Sequence, residues 1–378
     1  MVDLVANSTA LLSLYGTLNL GLDEKIAYDH QVRVLCALLI LPSNPISEMS
    51  ATTTRSRADI STTKIFIDGQ AGTTGLDMRE RLMKLPRFEL LEIEDAERKN
   101  NARRKELIDA ADIAVLCLPD EAAIEAVELA RDSTTRILDA STAHRVSANW
   151  AYGLPELSAA NRAQVTEAKL VSNPGCYPQG VILGIAPLVN AGWLDSAAAL
   201  SVHALSGYSG GGTKLIQRIE QMSPAERPSW SARPYALNLQ HKHMPEMQLY
   251  SGLMTAPLFA PTVGNYYKGM IVSTALPGDQ LSDNFGKKTA EDVSALLTET
   301  YENEPFIKIL SLDEAAPDGF LDPTACIDTN RLEFIVTGNS DQVLITARYD
   351  NLGKGAGGAA LQNLNLMSGC TETDGLAA

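Results

Sequence analysis

The chain has 378 residues, longer than the usual single domain, and its 45% hydrophobic and 20% charged residues exclude disordered and fibrous classes. A formal charge of −15 excludes nucleic acid as the expected partner, because phosphate backbones are bound by clustered Lys and Arg. An anionic small molecule stays compatible only where cations and backbone N–H groups converge locally.

At the N-terminus, Asp3, Asp23, Glu24 and Asp29 interrupt any signal-peptide pattern, and the longest apolar stretch, 34–41, is too short to span a bilayer. No membrane association is expected. Thr, Ser and Arg recur over 49–63, so residues 1–63 are expected to form a flexible extension, with Met49 as a candidate start. Cys36, Cys117, Cys176, Cys326 and Cys370 have no paired spacing, which points to reduced thiols and a cytoplasmic location.

From Lys64 onward short apolar runs alternate with amphipathic stretches. Strands are expected at 64–68, 88–93, 113–118 and 136–140. Helices are expected after the first strand (Leu76, Leu82, Met83), over 103–110 and over 121–131. This alternation predicts an α/β, Rossmann-like parallel sheet over 64–172. After Ala151 the texture changes to Gly- and Pro-rich loops, and an antiparallel sheet is expected with strands at 199–204, 269–275, 331–337 and 342–349. That gives a second, α+β catalytic and dimerisation domain over 173–349. A Gly-rich turn and helix near the C-terminus, 350–370, are expected to complete the first domain.

Four segments carry candidate chemistry. Gly69-x-x-Gly72-x-x-Gly75 follows a strand and opens a helix, the setting in which backbone approaches a pyrophosphate and helix N–H groups bind it. Its spacing departs from G-x-G-x-x-G, so its position carries the reading. Gly69, Gly72, Thr73, Thr74 and Gly75 are the cofactor candidates. Glu94 and Asp95 are followed by Arg98 and Lys99, cations suited to a 2′-phosphate, so NADP(H) is expected. The second segment is Asn173-Pro174-Gly175-Cys176-Tyr177-Pro178 before the apolar run 181–189. It places Cys176 at or near a helix N-terminus, where a thiol's pKa falls. The third is His241-Lys242-His243-Met244-Pro245-Glu246, which offers an acid/base partner and a carboxylate to orient it. No Cys or His pair at ligand spacing accompanies it, so no metal is expected. The last is the loop 206–214, in which Ser209, Gly210 and Lys214 suit an anion, with Arg145 and Arg218 as further carboxylate or phosphate contacts.

Taken in order, KIFIDGQAGTTG (64–75), CLPDEAA (117–123), LDASTAHR (138–145), YGLPEL (152–157), SNPGCYPQG (172–180), LSGYSGGGTK (205–214), HKHMPEM (241–247), DTNRLEF (328–334) and DNLGKGAGGAALQNLN (350–365) resemble the shorter subtype of the N-acetyl-gamma-glutamyl-phosphate reductase family. The resemblance covers about 64–369. It implies NADPH-dependent reduction of an acyl phosphate, N-acetyl-glutamyl 5-phosphate, to the semialdehyde in arginine biosynthesis, by a homodimer or homotetramer. It also implies that Cys176 is the nucleophile and forms a thioester. The basic residue maps to His241 or His243, with His241 preferred as acid/base and His243 as a substrate contact. Arg145, Ser209, Gly210, Lys214 and Glu246 are the substrate-binding candidates. Gln179 departs from the Thr common in the family. The competing readings are aspartate-semialdehyde dehydrogenase, a Cys/His acyl-transfer enzyme without nucleotide, and a nucleotide sensor that has lost catalysis.

Overall fold

The computed structural model describes residues 62–378. The extension expected over 1–63, including Met49 and Cys36, lies outside these residues except for its last two positions. The chain first builds β1 (Thr63–Asp68), α1 (Thr73–Leu82), β2 (Phe88–Leu91), α2 (Asn101–Ala110), β3 (Ile113–Leu116), α3 (Asp120–Leu129), β4 (Arg136–Asp139), β5 (Ala151–Tyr152), α4 (Ala159–Glu167) and β6 (Leu170–Ser172). The six strands form one parallel sheet in the order β2-β1-β3-β4-β6-β5. Alternation in β1 covers both faces: Ile65 and Ile67 pack with Met78 and Leu82, while Phe66 packs with Leu107, Ile108 and Ala123. Of the expected apolar stripe on α1, only Leu82 is buried; Leu76 and Met83 are 51% and 64% exposed, and Met78 takes the core position. The strand expected at 88–93 stops at Leu91 because the Ile93 carbonyl is taken by the Gln70 side chain at 3.1 Å instead of a neighbouring strand.

A second group of elements follows: α5 (Cys176–Asn190), β7 (Ser201–Ser206), α6 (Gly212–Glu220), β8 (Arg233–Pro234), α7 (Met244–Tyr250), β9 (Leu258–Val263), β10 (Met270–Pro277), the hairpin β11 (Ser282–Asp283) and β12 (Gly286–Lys287), α8 (Ala290–Thr300), β13 (Ile307–Leu310), α9 (Leu312–Ala315), β14 (Leu332–Gly338) and β15 (Gln342–Tyr349). The large sheet runs β13-β14-β15-β10-β7-β9-β8. It is mixed, which corrects the expected antiparallel sheet: β7 pairs with β9, and β13 with β14, in parallel. Both pairs are joined by long excursions that carry α6 and α7 in one case and α9 in the other, as parallel pairing requires. One face buries Val202, Val272 and Ile345 against Val181, Ile185 and Leu297 of α5 and α8. The other face leaves Leu205, Ile271, Ser273 and Leu344 half-buried to exposed, and toward β14 it is covered where buried Arg348 meets Glu333 and the Ala315 carbonyl of α9.

After β15 a π-type turn (Gly353–Gly357) leads into α10 (Gly358–Met367). Leu361, Leu364 and Met367 pack beside Ile65 and Ile67 of β1. The chain end thereby returns to the parallel sheet, and the turn before α10 is left against the start of α5.

Candidate active site

A cavity of about 720 Å³ lies at the carboxyl ends of β1 and β3, the crevice where open parallel sheets place ligands. Gly69 to Gly72 form one wall and Arg98 and Lys99 lie at another. Gly69 has φ +91°, and a side chain there would collide with the Cys117 carbonyl, so only glycine allows this turn. A Cβ on Gly72 would meet nothing nearer than 3.5 Å, which leaves the backbone open to a close-approaching ligand. Thr73, Thr74 and Gly75 form the first turn of α1, whose N-cap Gly72 gives no side-chain cap, so its N–H groups stay available. Arg104 also lines the cavity, but it is held by Asp68 (Nη2–Oδ2 2.9 Å) and Glu125 (Nη1–Oε2 3.0 Å). The unburied cations of this site are therefore Arg98 and Lys99, and these residues fit a phosphorylated dinucleotide.

A second cavity, of about 540 Å³, brings Cys176, His241 and His243 together. Cys176 is the first residue of α5, behind the N-cap Gly175. The turn is fixed from several sides. Glu246 Oε2 accepts the Gly175 N–H at 2.9 Å and Tyr152 Oη donates to the same oxygen at 2.9 Å. Arg145 Nη1 donates to Glu246 Oε1 at 2.9 Å. Tyr349 Oη donates to the Cys176 carbonyl at 2.6 Å. A Cβ on Gly175 would lie 2.7 Å from Arg145 Nη1 and 2.8 Å from His243 Nε2, so the missing side chain lets both groups pack against Gly175, the residue before Cys176.

The expected depressed thiol pKa is not met. Burial pushes Cys176 up to about 11, against the pull of the Arg145 charge, the Tyr177 N–H and Lys242. Burial and neighbouring Lys242 push His241 down to about 4. Burial, with Arg145, His241 and Lys242 nearby, holds His243 well below the ordinary imidazole range. Both rings are therefore neutral and able to accept a proton. They are not equivalent. His241 Nδ1 accepts the His243 N–H at 3.2 Å, and its Nε2 faces Tyr235 Oη at 3.4 Å. His243 Nδ1 is buried with no hydrogen-bond partner among the described residues.

Several expected contacts fall elsewhere. Glu246 orients no histidine and has both oxygens occupied by Arg145, Tyr152 and Gly175, so it braces the Cys176 turn. Arg145 is 7% exposed, with Nη1 paired to Glu246 and Nη2 donating to the Ala140 carbonyl, while its Nε is buried with no partner among the described residues. In the 206–214 loop, Ser209 N–H donates to the Tyr267 carbonyl and ties the loop to the turn before β10, while Gly210 N–H donates to the Gly207 carbonyl within the loop. Gly210 lines the cavity, whereas Lys214 is exposed on α6 away from its lining. Arg218 stacks on Trp230 with 5.1 Å from guanidinium carbon to ring centroid. Gln179 is fully buried, and its Nε2 donates to the Lys354 carbonyl at 2.7 Å, tying α5 to the 353–357 turn. Sequence reasoning missed Arg233, Trp230 and Tyr235, which line the cavity from outside any motif. Lys242 also lines it, and its place between two histidines was a usable signal. Among the described residues no group of three or more His, Cys, Asp or Glu is placed to hold a metal ion, and no helix is long and apolar enough to cross a membrane.

Two family models match the chain. Residues 64–167 match the semialdehyde dehydrogenase NAD binding domain, and 176–351 match the semialdehyde dehydrogenase dimerisation domain. An N-acetyl-gamma-glutamyl-phosphate reductase of Trichormus variabilis is 44% identical over 321 residues, 83% of this chain and 99% of the relative. One of Brucella ovis is 45% identical over 309 residues, 81% and 99% of the two chains. Among solved structures, aspartate semialdehyde dehydrogenase from Francisella tularensis superposes with a TM-score of 0.63 at 13% identity, covering 81% of this chain and 99% of that one. The Candida albicans enzyme with NADP gives 0.56 at 15% identity, covering 81% and 98%. At these identities the structures speak for the fold alone.

Proposed function

The chain belongs to the N-acetyl-gamma-glutamyl-phosphate reductase family, and we propose that it reduces N-acetyl-glutamyl 5-phosphate to the 5-semialdehyde through a thioester on Cys176. The observation that carries this reading is that one cavity is lined both by the thiol at the N-terminus of α5 and by His243, which lies beside Gly175 and whose Nδ1 has no partner among the described residues. His243 takes the acid/base role in preference to His241, whose two ring nitrogens are already engaged.

His243 accepts the thiol proton as sulfur attacks the acyl carbon; the C–S bond forms and the C–O bond to phosphate breaks. The negative charge of the arriving acyl phosphate raises the imidazole pKa, so proton transfer follows substrate binding. First-turn N–H groups of α5 stabilise the oxyanion. NADPH, held by the 69–72 loop and by Arg98 and Lys99, supplies the hydride when bound. His243 passes the thiol proton to the departing phosphate, which leaves as hydrogen phosphate, and a proton it then takes up from solvent goes to sulfur when the tetrahedral thiohemiacetal collapses to aldehyde. The direct test follows NADPH oxidation with N-acetyl-glutamyl phosphate and with aspartyl phosphate. Oxidation is expected with the first only, and a preference for the second overturns the assignment.

Arg98 and Lys99 set the cofactor preference through a 2′-phosphate. The Arg98→Ala/Lys99→Ala enzyme is expected to bind NADPH about 10- to 100-fold more weakly while NADH binding barely changes. Equal losses for both nucleotides, read by fluorescence titration, refute the contact.

The half-buried to exposed β7-β10-β15 face of the large sheet carries a second copy of the chain, giving a homodimer or a homotetramer. Apolar Leu205, Ile271 and Leu344 sit there half-buried to exposed on adjacent strands, a patch that subunit contact would cover. Light scattering is expected to give two or four times 40.6 kDa, and a stable monomer is the contrary result. The enzyme works in the cytoplasm, where its nucleophilic cysteine stays reduced.

A further inference from the structure

The cavity beside Cys176 is electrostatically one-sided. In a chain of formal charge −15, its described lining includes Arg233 and Lys242 and no carboxylate. The two cations are held differently. Arg233 lies over the indole of Trp230, 4.2 Å from guanidinium carbon to ring centroid, and donates through Nη2 to the Ser229 carbonyl at 3.1 Å. No carboxylate pairs with it among the described residues. Stacking restrains a guanidinium while leaving further N–H donors for a planar, bidentate partner. Trp230 itself is only 6% exposed, packed with Ile219 and Val263, and its Nε1–H is buried with no hydrogen-bond partner among the described residues. The Nε1–H lies beneath the surface, so what the indole offers the cavity is a rigid face on which Arg233 stacks. Lys242 stands between His241 and His243, and its charge pulls on the Cys176 thiol.

A substrate with an acyl phosphate at one end and an α-carboxylate at the other must put the phosphate end at sulfur. We infer that Arg233, braced on the Trp230 indole, binds the α-carboxylate of the acylamino acid, and that Lys242 serves the departing phosphate. This rests on the proposed reaction and names the specificity residues within it. None of the three had been singled out by a sequence motif for this role.

The reverse reaction separates the two anions, because N-acetyl-glutamate 5-semialdehyde carries the carboxylate and inorganic phosphate is a separate substrate. With NADP+ as oxidant, Arg233→Met is expected to raise KM for the semialdehyde about 10- to 100-fold and leave KM for phosphate unchanged. Lys242→Met is expected to show the opposite split, and Trp230→Phe a loss of about fivefold on the semialdehyde alone. Arg233→Lys, which keeps the charge but not the fork, is expected to fall between wild type and Arg233→Met, and it carries the test if the methionine variant does not fold. An unchanged semialdehyde KM in Arg233→Met or Arg233→Lys, or an equal rise for both substrates, overturns the inference while the reaction assignment stands. Wild-type enzyme that fails to oxidise the semialdehyde in the presence of phosphate overturns both.

Discussion

Replacing Cys176 by alanine is expected to lower kcat by a factor on the order of 10⁴ or more, because the variant loses the only atom to which the acyl group is transferred. NADPH affinity is expected to stay at the wild-type value, since the cavity at the 69–72 loop is walled by other residues. Residual turnover within a hundredfold of wild type disproves the covalent route. The wild-type thiol has its own signature. Burial raises its pKa to about 11, so the charged form is scarce at neutral pH and grows as pH rises. Alkylation of Cys176 in free enzyme is therefore expected to speed up about tenfold per pH unit from 7 to 10. A plateau near neutrality contradicts this assignment and indicates a preformed thiolate.

Lys354→Met is expected to destabilise the fold by about 3–5 kcal/mol, measured as a shift in urea unfolding. Lys354 and Glu156 are both fully buried, with Nζ 2.6 Å from Glu156 Oε1 and 2.7 Å from Gln362 Oε1. Removing the lysine strands a carboxylate in the interior. Burial by itself raises the Glu156 pKa, but the Lys354 charge and the hydrogen bonds from Gln362 and Lys354 outweigh it and hold the group below its ordinary 4.5. A depressed folded-state pKa contributes stability above the unfolded value, and that stability is lost as pH falls through the folded one. In the variant the Lys354 charge and hydrogen bond are gone and hydrogen bonding, chiefly from Gln362, is all that opposes burial, so the Glu156 pKa rises and the carboxylate is destabilised at neutral pH. The deficit relative to wild type is therefore expected to be largest at neutral pH and to shrink toward pH 4. A change below about 1 kcal/mol at pH 7 refutes the pairing as a structural element. Activity is expected to fall as well: the Lys354 carbonyl anchors Gln179 of α5, and a Cβ on Gly355 would lie 3.1 Å from Cys176 Cβ.

The first sheet was largely legible, because its strands are apolar runs separated by charged helices. β1, β3 and β4 appear within two residues of the expected positions. β5 and β6, two and three residues long, left no periodic signal. The second sheet was harder to read. β9 holds Pro261 and β13 is a short edge strand, and neither pattern stands out from loop. Parallel pairing of β7 with β9 is invisible locally, since it depends on where a long excursion returns.

Sequence alone determined the chemistry on offer: a thiol preceded by Pro and Gly at the start of an apolar helix, a paired histidine segment, and a glycine turn after a strand. Those are local backbone demands, and local order encodes them. Tertiary structure decided how each group is used. Ionisation of Cys176 and the two histidines depends on burial and on charges brought from Arg145, more than thirty residues away in the chain. The division between bracing and recognition likewise depends on which polar groups already have partners. Glu246 has both oxygens taken by Arg145, Tyr152 and Gly175, whereas Arg233, from a stretch without a motif, has no carboxylate partner among the described residues and stands at the cavity wall.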